Sequence, residues 1–213
     1  MALLFVNVAM AFVLASSTLA EIRLVQRARD TGNVSFEEAR RNDNRQRALG
    51  GASTLAFLAT GIVWLVFVHR AHSNLDALGA RDLRFTHGWA VAGFLVPFLN
   101  LVRGPQVMSE LLRASEPSGG SNGWRSRPTP PIVPAWWTTY LVGGVVLRIS
   151  TLGLRNDTAS IDDILLSDRI LIGTQLLIAI SGVLAVVLIR RIAGFQRARA
   201  TDHGHRPAEP DLA

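Results

Sequence analysis

Apolar and polar positions fall along this chain in long blocks. Residues 48–68 and 170–189 carry no ionisable side chain. A helix rises about 1.5 Å per residue, so either block can cross a hydrocarbon core of about 30 Å. Residues 2–20 form another block, ending in Ser17-Thr18-Leu19-Ala20 in the manner of a signal-peptidase site. No positive segment precedes it, however, and Arg23, Arg27 and Arg29 follow it, which predicts a retained anchor helix. Residues 135–147 open with Trp136, Trp137 and Tyr140, residue types suited to a membrane interface. Arg148 interrupts that block, which should continue to residue 154. The shortest block, 88–102, holds Pro97 in its middle and Asn100 near its end. With residues 85–87 added it reaches roughly 27 Å as a helix, and Pro97 should kink it.

The polar segments supply the boundaries. Residues 21–47 contain seven arginines and five acids, a mixture that reads as a solvated helical face. Ser35-Phe36-Glu37-Glu38 has capping-box spacing, so a helix should start there and run without a break into the 48–68 block. Within that block Ala52, Ala56 and Thr60 recur every four residues and would let a neighbouring helix approach closely. Residues 75–87 read as a short polar hairpin turning at Gly79. Residues 106–115 place Val107, Leu111 and Leu112 on one face, as in an interfacial or cytoplasmic helix. Five of the nine prolines fall in 116–134, which predicts an extended linker. Residues 153–168, with Asp157, Asp162, Asp163 and Asp168, read as a solvated outer loop. A membrane domain over 1–192 and a polar cytoplasmic tail over 193–213 complete the plan.

The fold class expected is therefore all-α: an integral membrane helical bundle of five spans, or of four spans plus a re-entrant 88–102 segment. The arginines favour five. With the N-terminus outside, 21–47, 103–134 and the tail hold 16 arginines in the cytoplasm, against five outside. A proline-broken run of 15 residues favours re-entrance instead, because irregular backbone at membrane depth needs protein or water around it.

Composition changes the picture in two ways. Every one of the 22 basic residues is arginine, and the net charge is +6. The arginines flank apolar blocks and no aromatic-basic platform interleaves them, so anionic lipid headgroups are the expected partner and nucleic acid is not. The absence of cysteine excludes disulfides, thiolate catalysis and cysteine metal sites.

Polar groups at a membrane boundary are costly and usually pair or serve a function. The constellation that qualifies is His69, Arg70, His72, Asn74, His87, Trp89, Pro97, Asn100, Arg103 and Glu110. His69 and His72 are three apart on one helix face, and His87 across the hairpin would complete a three-nitrogen zinc site. The plainer reading is interfacial histidines, and no metal is assigned. Asn74 could cap a helix C-terminus, and Asn100 could bond the backbone freed by Pro97. No serine–histidine–acid arrangement or phosphate loop is present, so no catalytic residue and no cofactor is assigned.

One stretch is specific. Arg70-Ala71-His72 with Asn74-Leu75, Ala77-Leu78-Gly79-Ala80, Gly88-Trp89-Ala90-Val91, Val96-Pro97 with Asn100-Leu101, Pro105-Gln106, and Glu110-Leu111 with Arg113-Ala114-Ser115 follow in order. In that order and spacing, and in the Trp136-Trp137 pair, the chain resembles a bacterial membrane-protein family frequent in actinobacteria and catalogued as domain of unknown function 4328. Thr86-His87 and Gly104 depart from the family's pattern. The resemblance implies a fold and a membrane location but no activity. The function expected is a non-enzymatic structural or partner-modulating component of the bacterial cytoplasmic membrane, able to oligomerise or to hold a membrane or cytoplasmic protein. The alternatives are a small transporter or channel subunit broken at Pro97 and Asn100, and a metal-dependent membrane enzyme.

Overall fold

The computed structural model describes residues 1–117, 123–150 and 160–204. Among them the architecture is helical: α1 (Ala2–Thr31), α2 (Phe36–Ala77), α3 (His87–Leu95), α4 (Leu99–Ser115), α5 (Ile132–Ile149) and α6 (Ile161–Gly204), with a 3-10 turn over Gly123–Ser126. The chain divides into two units. One comprises Met1–Ile62 and Ala135–Val186, the other Val63–Pro134 and Val187–Ala213.

In the first unit the capping box forms as expected. The Ser35 N–H donates to Glu38 Oε2, and the Glu38 N–H donates to Ser35 Oγ. Helix α1 stops where Gly32 takes a left-handed φ of 62°. Near the start of α1, Asn7 Nδ2 donates to Thr60 Oγ1 at 2.5 Å and to the Ala56 carbonyl, so part of the small-residue stripe does meet a neighbour. Farther along, Arg45 Nε donates to Ser17 Oγ at 3.0 Å and Gln46 Nε2 to Glu21 Oε2 at 2.5 Å. Numbers rise on one helix as they fall on the other, so α1 and α2 are antiparallel. The same test applies to α1 and α6. A Cβ on Gly182 would lie 2.7 Å from Val8 Cγ2, while Arg29 pairs with Asp162 at 2.7 Å. For α5 and α6, Gly143 faces Leu177 and Ile178, and the Ser150 and Ser167 hydroxyls lie 2.9 Å apart. Thus α1 and α5 run one way, and α2 and α6 run the other.

Four helices, Ala2–Thr31, Phe36–Ala77, Ile132–Ile149 and Ile161–Thr201, are long and apolar enough to cross a membrane. In the apolar window of α2 only 6% of residues are buried by the protein itself, and Leu55, Phe57, Leu58 and Ile62 stand exposed. Each such side chain left in water would forgo about 1.5–3 kcal/mol. The protein is membrane-embedded.

In the second unit, residues 88–102 do not form one continuous helix as a fifth span would require. Helix α3 has nine residues and rises only about 14 Å. The chain breaks after it, with Phe98 at φ 62°, a conformation rare for a bulky residue. It then folds back. A Cβ on Gly93 would lie 3.0 Å from Arg103 Cβ, and the two residues flank the break almost symmetrically. Residues 88–102 are a helical hairpin.

The core of this unit is Val68, Leu75, Val107, Met108, Leu111, Leu188 and Ile192, all fully buried. Helix α2 ends on Gly79 at φ 71°, whose N–H donates to the Asp76 carbonyl while the Ala80 N–H donates to that of Leu75. That is a Schellman cap. Gly79 therefore fills the role proposed for Asn74, which instead donates to Gln196 Oε1 at 3.1 Å.

Three further expectations change. Residues beyond 192 are not simply a tail, because α6 continues to Gly204 with Gln196 and Arg199 buried. Gln196 Nε2 donates to the Ala71 carbonyl and to Ser115 Oγ, and Arg199 donates to the Leu78 and Ala114 carbonyls at 2.5 Å each. The 116–134 linker packs its Trp124, which is buried. The acidic loop ends earlier than expected. Asp162, Asp163 and Asp168 lie on α6, Asp168 is buried, and Asp157 lies outside the described residues. At the entry to the apolar run of α5, Trp136 and Trp137 are buried and packed with Tyr140.

Candidate functional site

The polar centre of the second unit is assembled by the end of α2, the start of α3 and the middle of α4. His72 lies one turn beyond the apolar run of α2 and is fully buried. Its Nε2 lies 3.1 Å from Glu110 Oε1, and its Nδ1 lies 2.8 Å from Nδ1 of His87. His87 is placed by the α3 N-cap, where Thr86 Oγ1 accepts from the Trp89 N–H. On its other side His87 Nε2 lies 2.9 Å from Asp76 Oδ2. Glu110 Oε2 accepts from the Arg84 N–H at 2.7 Å. The result is one chain, Asp76–His87–His72–Glu110–Arg84, running from a largely exposed carboxylate to one that is 2% exposed.

The buried Glu110 carboxyl is held by the His72 ring and by a backbone N–H, which is what its burial requires.

The remaining predicted residues do not join this chain. The His69 ring stands edge-on to His87 with centroids 6.4 Å apart. Among the described residues no group of three histidines and acids is arranged to hold a metal, so the His69, His72 and His87 zinc set does not assemble. Arg70 and Trp89 are exposed. Pro97 sits at the hairpin break. Asn100 Oδ1 is buried without a partner among the described residues and does not bond the freed backbone. The Arg103 guanidinium lies over the Phe85 ring at 5.0 Å.

Two clefts flank the chain. A cavity of about 340 Å³ is lined by Asp76, Asp82, Thr86 and His87 among others. A larger one of about 460 Å³ is lined by Arg84, Gln106, Ser109, Glu110, Arg113 and Arg125, with Trp124 at its wall. Sequence reasoning missed Asp76 as a partner, although it lies four residues from His72 on the same helical face. It also missed Gln196, Arg199 and Trp124, which carry no local signal because their partners are remote in sequence.

The family model described as Domain of unknown function (DUF4328) matches residues 30–194. The fold and polar centre thus belong to an all-helical, membrane-embedded class. With well over half its length matched, the chain is a member of that domain-of-unknown-function family. No curated protein and no solved structure matches it.

Proposed function

We propose that this is a four-span, non-enzymatic component of the bacterial cytoplasmic membrane, with the α3–α4 hairpin re-entering the bilayer and both termini in the cytoplasm. The observation that carries the topology is the antiparallel course of α1 and α6, since an even number of crossings must separate helices of opposite direction when α2 already reverses α1. The second unit agrees. Gln196 and Arg199 bond the carbonyls of Ala71 and Leu78, which a five-span path would put across the bilayer from them. On this four-span path 12 of the 22 arginines, within 70–127 and 190–206, lie on the proposed cytoplasmic side.

The hairpin tip supports the re-entrance. Leu95, Val96, Phe98, Leu101 and Val102 are all exposed, with Phe98 at 86%. An apolar tip of this kind belongs in acyl chains, not water. The same exposure disfavours a transport pathway at Pro97, because a pathway-lining break would be enclosed by protein. A non-enzymatic role is supported by the polar chain itself, in which both Glu110 oxygens already accept from His72 and Arg84.

The cysteine-free sequence makes the topology directly testable. Ala77→Cys, Ser126→Cys and Ser35→Cys are made separately, and intact cells are treated with a membrane-impermeant thiol reagent. The proposal expects Ser35→Cys to label, and Ala77→Cys and Ser126→Cys to be protected until the cells are opened. Labelling of Ala77→Cys with protection of both others would restore five spans and sink the reading. Labelling of Ala77→Cys and Ser126→Cys together, with Ser35→Cys protected, would keep four spans and reverse the orientation.

A further inference from the structure

The geometry points to the larger cavity of the second unit as a binding site for a phosphate-ester oxyanion, held by Arg84, Arg113 and Arg125. The argument begins with charge. Three guanidiniums line one cavity of about 460 Å³, and the only carboxylate in its wall is Glu110. Both oxygens of that carboxylate already accept hydrogen bonds, from His72 and from the Arg84 backbone. Of the neighbouring acids, Glu116 pairs with Arg127 and Asp76 with His87, while Asp82, whose carbonyl accepts from Arg125, is not part of this cavity's wall. An unbalanced set of cations at one surface is stabilised by an anion.

Donor direction adds a second strand. Arg113 spends Nε on the Ser109 carbonyl and Nη1 on that of Arg127 at 2.7 Å. Arg125 spends Nε and Nη2 on the Asp82 carbonyl. These bonds fix both guanidiniums and still leave N–H groups on each. Both also lie over the Trp124 ring, at 5.7 and 5.5 Å from its centroid. Trp124 is itself buried and held by Nε1 donating to the Arg81 carbonyl at 3.2 Å. The two forks are therefore oriented before any ligand arrives, and little side-chain entropy remains to be lost on binding. Arg84 also lines the cavity, and its guanidinium, which lies over the Phe85 ring, takes part in no side-chain hydrogen bond or ion pair among the described residues.

The uncharged lining defines the rest of the ligand. The hydroxyls of Ser109 and Thr129 lie 3.4 Å apart in the wall. Among the described residues Gln106 Oε1, in the same lining, is buried and accepts no hydrogen bond, so the Ser109 and Thr129 hydroxyls are what a ligand polyol would meet. The cavity has room for about 15 waters at roughly 30 Å³ each, enough for a phosphate carrying a glycerol-sized polyol. Such a group is present both in glycerophospholipid headgroups and in free phosphate esters.

The experiment uses the full chain in dodecyl maltoside micelles and measures heat and thermal shift in two arms. One arm titrates glycerol 3-phosphate. The other titrates short-chain phosphatidylglycerol, with phosphatidylcholine as the zwitterionic control of zero net charge. Arg84→Gln is the first variant, because among the described residues its guanidinium makes no hydrogen bond or ion pair and only lies over the Phe85 ring at 5.5 Å. Arg125→Gln is the second. Saturable binding of glycerol 3-phosphate, weakened about tenfold or more by each substitution, supports the site with a soluble ester as ligand. Binding of phosphatidylglycerol alone, absent for phosphatidylcholine and weakened alike in both variants, supports it with a lipid headgroup. Binding by neither probe, or binding that both variants retain unchanged, overturns it.

Discussion

Deleting the imidazole of His72 would leave the Glu110 carboxylate buried with a single backbone donor. We expect His72→Leu to cost about 3 kcal/mol, in the range of a broken buried pair. His87→Leu should cost about 1 kcal/mol, because His87 is 37% exposed and water can take over its bonds. Denaturation in micelles measures both, and a His72/Glu110 double-mutant cycle should show coupling above about 1 kcal/mol. Equal losses at the two histidines, or no coupling, would show that the chain of bonds does not carry the burial. At this scale much was legible. His72, His87 and Glu110 stand out in the sequence as polar groups beside apolar blocks, and they do converge. What the sequence could not supply was pairing. His69 looks as good a ligand as His72, three residues away, yet one ring is buried against Glu110 and the other is exposed, a difference decided by where α4 packs.

Among elements, the α3–α4 hairpin depends on how closely its two arms approach. A Cβ at Gly93 would sit 3.0 Å from Arg103 Cβ, an atom that cannot rotate away. Gly93→Ala should therefore destabilise the protein by about 1–3 kcal/mol, as overpacking does. Gly88→Ala, with open space at its Cβ, should be neutral or mildly stabilising. Melting of the two variants side by side checks this, and equal behaviour would remove the close approach as a determinant. Gly79→Ala should cost about 1 kcal/mol through its left-handed φ of 71°. The long elements were readable because capping boxes and apolar runs are local signals, and α2 starts at Phe36 next to its Ser35–Glu38 box. The hairpin was not, because an apolar run of 15 residues with a central proline is equally a kinked span or two short helices. The deciding contact, Gly93 with Arg103, reaches across the break.

For the whole molecule, the deciding quantity is the direction of helices, which no local pattern encodes. Arginine counts favour five spans, but they weigh loops without regard to which helices touch. The antiparallel α1 and α6, bonded through Arg29 and Asp162, carry information that loop charges lack. That ion pair is more than half exposed on both partners, so it reports geometry and contributes little stability. If the hairpin re-enters the bilayer, Phe98 must contact acyl chains although it belongs to the unit that holds the polar chain. With no native cysteine, Phe98→Cys can carry a single nitroxide in reconstituted vesicles. We expect its relaxation to respond to oxygen, which concentrates in hydrocarbon, and not to a water-soluble nickel chelate. Ser126→Cys, on the exposed 3-10 turn, should respond in the opposite sense. A nitroxide at Phe98→Cys relaxed by the chelate would put the tip in water. Its exposed Leu95, Val96 and Phe98 would then need a protein partner to cover them, and four spans would stand without re-entrance.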